Sequence, residues 1–64
     1  MAMYNNLWKL LIDRKLKKTD LIHGAGISTS ALAKMSKNQF VSLEVIHKIC
    51  CYLNVQIENV VSFD

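Results

Sequence analysis

Four lysines, Lys17, Lys18, Lys34 and Lys37, bracket three consecutive hydroxyls at Ser28, Thr29 and Ser30. An ammonium group donates hydrogen bonds and carries charge, and a hydroxyl both donates and accepts, so this set suits recognition of an anionic, polar surface better than bond-making. The charge balance points the same way. Residues 1–41 carry Lys9, Arg14, Lys15, Lys17, Lys18, Lys34 and Lys37 against Asp13 and Asp20, a surplus of five, whereas residues 42–64 carry Lys48 against Glu44, Glu58 and Asp64, a deficit of two. Such asymmetry is the footprint of a polyanion-binding face, and equally of a lysine-rich solvated one.

The other reactive residues point away from catalysis. His47 and Cys51 stand four apart, within reach of each other on a helix. A structural zinc site usually needs four ligands, however, and only the distant His23 remains, so no metal is expected. The neighbouring Cys50 and Cys51 cannot easily form an unstrained bridge and read as small core residues in a reducing compartment. The five carboxylates and two histidines show no spacing that pairs a nucleophile with a base. With little room for a substrate pocket in so short a chain, an enzyme, a cofactor and a small-molecule ligand are all unexpected. No apolar run is long enough for a membrane span, and Met1–Asn6 lacks the basic-then-apolar pattern of a secretory signal. The expected location is cytoplasmic.

These side chains must be positioned by helices, because the apolar residues recur at intervals of three and four. With 64 residues and 52% of them apolar, the expectation is one compact all-α domain over 1–64. The first helix is expected from Asn5 or Asn6, a good N-cap type, with Leu7, Leu11, Trp8 and Ile12 in i,i+4 pairs and Arg14-Lys15 at its C-terminal end. A short second helix follows from about Thr19 to Ala25, with Leu21, Ile22 and Ala25 inward, and Gly26 ends it in a left-handed conformation. Gly24 weakens this helix. Ser28 caps a third helix whose stripe is Ala31, Leu32 and Met35, and Asn38 is placed to close it with left-handed backbone. Ser42 caps the fourth and most buried helix, which carries Leu43, Val45, Ile46, Ile49, Cys50, Tyr52 and Leu53. Val41 and Ile46 form its hydrophobic staple, and Asn54 ends it. The last element, about Gln56–Ser62, directs Ile57, Val60 and Val61 inward. A helix is expected there, although its partial alternation also suits a strand.

From Leu16 to Asn38, a short helix, a glycine turn and a second short helix with a polar outer face make the arrangement of a helix-turn-helix, about residues 18–37. This stretch, Leu16-Lys17-Lys18-Thr19-Asp20-Leu21-Ile22 through Gly26-Ile27-Ser28-Thr29-Ser30-Ala31-Leu32 to Lys34-Met35, resembles the Cro/CI-type helix-turn-helix of the xenobiotic-response-element family. Val41-Ser42-Leu43-Glu44-Val45-Ile46, Leu53-Asn54-Val55 and Ile57-Glu58-Asn59-Val60-Val61 are similar to that family's fourth and fifth helices. The resemblance implies a five-helix lambda-repressor-like domain, with helices 2 and 3 as the helix-turn-helix. It also implies a regulator of transcription that binds double-stranded DNA as a homodimer on a pseudo-palindromic operator.

Matched position by position, the resemblance makes Thr29, Ser30 and Lys34 the main base-contacting residues of the recognition helix, with Lys18 a further base contact. Ser28 becomes the cap and a phosphate contact, Lys37 and Asn38 the loop that touches phosphate, and Gly26 the turn glycine. By its charge Lys17 joins the phosphate set, although Lys15 and Lys17 are also placed to complement a helix C-terminus. Tyr4 and Phe63 are candidate subunit contacts, since a small core can hardly cover every aromatic. Thr29 and Ser30 are short, without arginine or glutamine beside them, so the same fold also suits an antitoxin-like adaptor that binds protein.

Overall fold

Helices built from so few residues are defined by how they end, and with no proline in the chain the ends are made by capping side chains and left-handed backbone. A computed structural model describes residues 1–63. In order, a two-residue strand β1 (Ala2–Met3) leads into α1 (Asn5–Asp13), a π-helical segment (Leu21–Ala25), α2 (Thr29–Ser36) and α3 (Leu43–Leu53). A 3-10 turn (Ile57–Asn59) and strand β2 (Ser62–Phe63) complete it.

Two serines start helices as expected. Ser28 Oγ accepts from the Ala31 N–H at 3.1 Å, and Ser42 Oγ from the Val45 N–H at 3.3 Å. Three helices close alike, with one residue in left-handed backbone: Lys15 (φ 59°) after α1, Asn38 (φ 56°) after α2 and Asn54 (φ 56°) after α3. The following N–H then reaches back five residues, from Leu16 to the Leu11 carbonyl, Gln39 to Lys34 and Val55 to Cys50. This is the Schellman arrangement, which satisfies carbonyls that a helix end otherwise leaves bare. Arg14 Nη1 donates to the Leu53 carbonyl, tying the end of α1 to the end of α3 and placing a cation on that helix's negative pole.

The buried face of each element meets in one core. Leu7 and Leu11 come from α1, Leu21 from the π-helical segment, Ile27 from the turn, Ala31 and Met35 from α2, and Ile46, Ile49 and Leu53 from α3. Ala2, Tyr4, Val60 and Val61 seal the end where the termini meet. There β1 and β2 pair antiparallel, Ala2 opposite Phe63 and Met3 opposite Ser62.

Several expectations are corrected. The last element is not a helix over Gln56–Ser62 but a single 3-10 turn followed by a strand. The molecule is therefore a mostly helical domain with four helices rather than five. The second helix is shorter than Thr19–Ala25: its entry is a run of tight i−3 bonds, and Gly26 N–H then reaches Leu21, five residues back, so the coil widens to π geometry. Neither Asn5 nor Asn6 caps α1. Tyr4 holds the flanking position without a side-chain cap, because its ring is in the core and its hydroxyl donates to the Gln39 carbonyl at 2.7 Å. Being 1% exposed, Tyr4 belongs to the interior and is covered by the core itself. Ile12 is 73% exposed, since it lies about 100° round α1 from the buried Leu11. Leu43 and Cys51 likewise point outward from α3, so only Cys50 of the cysteine pair packs against the core, and Tyr52 lies partly exposed at its edge.

Burial pushes the Tyr4 phenol above its ordinary value of 10.0. A group whose folded pKa is raised contributes stability that is complete below the unfolded value and is lost as pH rises through the folded one. We therefore expect unfolding free energy to fall above about pH 10. Tyr4→Phe, which lacks the titrating group, is expected to be about 1 kcal/mol less stable at neutral pH, where it leaves the Gln39 carbonyl unpaired. Denaturant melts of both chains between neutral and alkaline pH should show the gap between them narrowing as pH rises.

Candidate nucleic-acid interface

The basic and hydroxyl residues are held by two short elements and the joint between them. Gly26 adopts φ 77°, a region that side chains rarely enter. Nothing lies within 4 Å of where its Cβ would stand, so backbone freedom alone calls for glycine there. Ile27 is buried and pins the turn to the core, and Ser28 opens α2. Upstream, the Lys17 N–H donates to Asp20 Oδ2 at 2.7 Å, which fixes the entry to the π-helical segment. That segment packs on α3 and α2 packs on it, so the orientation of α2 passes through this chain of contacts.

Gly24, on the outer side of the π-helical segment, has the Tyr52 ring lying where a Cβ would be. The ring covers bare backbone there, which accounts for a glycine that helix propensity disfavours.

Lys17, Lys18, Ser28, Thr29, Ser30, Lys34 and Lys37 are all exposed, and Asn38 is half-buried in its left-handed cap. Ser28, Thr29 and Ser30 occupy the N-terminal end of α2, where amide N–H groups and the positive end of the helix dipole face outward. Ser28 Oγ and Ser30 Oγ lie 3.1 Å apart, joined by a hydrogen bond that either hydroxyl can donate. Among the described residues the one ion pair joins Lys48 to Glu44, so the lysines of this surface are not engaged by carboxylates there.

Lys18 has a partner that sequence reasoning missed. Its Nζ stands 4.2 Å above the centre of the Trp8 ring, a cation–π contact worth about 0.5–1 kcal/mol at an exposed site. Trp8 is held in turn by Tyr4, ring centres 6.3 Å apart at 52°. No local pattern could reveal this, because Trp8 and Lys18 sit on opposite sides of the Lys15 turn. On α3, Cys51 Sγ and His47 Nε2 lie 3.4 Å apart as the spacing suggested, and no third ligand type joins them among the described residues. The Cys50 thiol is pushed up by burial, reinforced by the nearby Cys51 and Glu58, which keeps it protonated.

A family model described as the Cro/C1-type HTH DNA-binding domain matches residues 6–64. The chain belongs to the Cro/C1-type helix-turn-helix family. The match spans both the π-helical segment and α2, with the Gly26 turn between them. Among solved structures the chain is similar to the transcriptional regulator VanUg, with 48% identity and a TM-score of 0.91 over 95% of this chain and 81% of that one. No curated protein matches.

Because Gly26 is unobstructed, Gly26→Ala tests backbone strain alone. It should lower unfolding free energy by about 1–2 kcal/mol, and Gly26→Asn by less, since asparagine tolerates left-handed backbone. Equal losses in the two variants would show that something other than the positive φ requires glycine.

Proposed function

We propose that the chain is a sequence-specific regulator of transcription that lays α2 in the major groove of double-stranded DNA as a homodimer on a pseudo-palindromic operator. Membership of a DNA-binding family across nearly the whole chain carries this reading. The exposed hydroxyls of Thr29 and Ser30, with Lys34 on α2 and Lys37 just after it, support it, as does likeness to a transcriptional regulator at 48% identity. Cytoplasmic residence goes with the same role.

Each residue then has a distinct task. Lys34 donates to guanine O6 and N7, and Thr29 and Ser30 offer hydroxyls to base edges or, for Thr29, a methyl to thymine. A good bidentate contact discriminates by about 1–3 kcal/mol. Ser30 leaves its bond to Ser28 to do so, and Ser28 turns its proton toward phosphate while its oxygen still accepts from Ala31. Lys18 reaches a base from its seat on Trp8, so its side chain is partly ordered before DNA arrives. Lys17, Lys37 and the Asn38 loop hold phosphates on either side and fix register without reading sequence.

Titration of labelled duplexes selected from a random pool, at several salt concentrations, tests these roles. Lys34→Glu should weaken binding at least tenfold and relax preference at one base position. Lys37→Ala should flatten the salt dependence by about 0.9 per site while leaving preference intact. Emission from the single tryptophan, Trp8, should change on DNA addition as Lys18 moves. Binding that is absent even at low salt, or indifferent to Lys34→Glu, overturns the reading.

A further inference from the structure

Met1, Ile12 and Tyr52 are exposed apolar side chains that stand apart, but four others gather in one place. Phe40 (65% exposed), Leu43 (72%), Ile57 (46%) and Phe63 (69%) surround one shallow hollow near the paired termini. Phe40 and Phe63 stack there with ring centres 6.1 Å apart. The floor is Ala2, Tyr4 and Val61, and no charged side chain lines it. Leu43 and Ile57 form its far rim and also the near rim of a second, larger groove floored by Ile46, Cys50 and Val55.

We infer that this face is where a second copy of the chain docks, by a two-fold contact in which the Leu43–Ile57 ridge of one protomer enters the groove of the other. The inference rests on the homodimeric reading above and supplies its surface.

Three observations favour a like copy. A ridge beside a groove is the self-complementary shape that an isologous contact requires. Two chains of net charge +3 repel each other, and a face without lysine or arginine, its hollow uncharged and its groove lined by the single acid Glu44, lets them approach with least penalty. The four exposed side chains offer roughly 400–500 Å² of apolar surface, more than half of the ~800 Å² that a standard interface takes from each partner. None of Lys17, Lys18, Lys34 and Lys37 lines either depression, so docking leaves the candidate DNA face open.

Sedimentation equilibrium without DNA tests the surface independently of the DNA reading. The wild-type chain should self-associate to a dimer. Leu43→Glu, which appears twice in a two-fold contact, should raise the dimer Kd by about 100-fold or more, and Phe63→Ser should weaken it in the same direction. Both residues are mostly exposed, so the variants should keep the wild-type helical circular dichroism. Ile12→Glu, equally exposed but outside the patch, should leave the Kd unchanged, and Lys34→Glu should weaken DNA binding at least tenfold while the dimer persists. A wild-type chain that stays monomeric at all concentrations, or a dimer that Leu43→Glu and Phe63→Ser leave intact, overturns the proposal.

Discussion

Three consecutive residues carry the chain from the π-helical segment into α2, and each meets a different demand. Gly26 turns the backbone through a left-handed conformation with nothing packed against it, Ile27 drops into the core, and Ser28 satisfies an orphan amide at the start of α2. The joint is short, and only its middle residue is anchored by burial. A small change at Gly26 or Ile27 would therefore swing α2 as a lever, carrying Thr29, Ser30 and Lys34 with it. For the proposed entry of α2 into a groove about 12 Å wide, that orientation is the constraint on which every side-chain contact would depend.

The rest of the molecule keeps the joint from moving. A chain this short buries only about 60% of its unfolded surface, so backbone closure carries a large share of the order. Left-handed residues after α1, α2 and α3 satisfy the last carbonyls without lengthening the loops. Arg14 bonds the C-terminus of α3, the Tyr4 hydroxyl holds the Gln39 carbonyl beyond the α2 cap, and the two terminal strands pair over the core. Tyr4 and Arg14 flank α1 at its two ends, so α1 acts as the brace that joins the loop after α2 to the end of α3.

What was legible in the sequence was chemistry acting within a few residues. Ser28 and Ser42 as caps, Gly26, Asn38 and Asn54 as left-handed positions, and the apolar stripes of α2 and α3 all follow from side-chain type and spacing. What was not legible depends on partners far along the chain. The terminal strands exist only because Ala2 meets Phe63. Tyr4 is buried because Gln39 offers it a carbonyl, and Gly24 is tolerated because the Tyr52 ring covers it. Lys15 takes left-handed backbone without being glycine or asparagine, since the closure of α1 over Leu11 and Leu16 outweighs its intrinsic preference. Of the residues that the family resemblance singled out, Lys18, Thr29, Ser30, Lys34 and Lys37 are exposed and Asn38 is half-buried in its cap; exposure follows from their polar types and says nothing of what they touch.

The short reading surface has an energetic consequence. At about 1–3 kcal/mol for each good bidentate contact, full contacts by Thr29, Ser30 and Lys34 would sum to about 3–9 kcal/mol, against the roughly 4–10 kcal/mol by which specific binding exceeds non-specific binding. Hydroxyls, which bond a base edge through one atom, fall at the weaker end of that range. A second copy on a two-fold-related half-site doubles the base-contact term and also doubles the phosphate term. Only the first of these separates an operator from bulk DNA. Under the proposed function, dimerisation would be the means by which a reading helix of serine, threonine and lysine becomes selective, and the apolar hollow around Leu43 and Phe63 would then bear on specificity alongside Lys34.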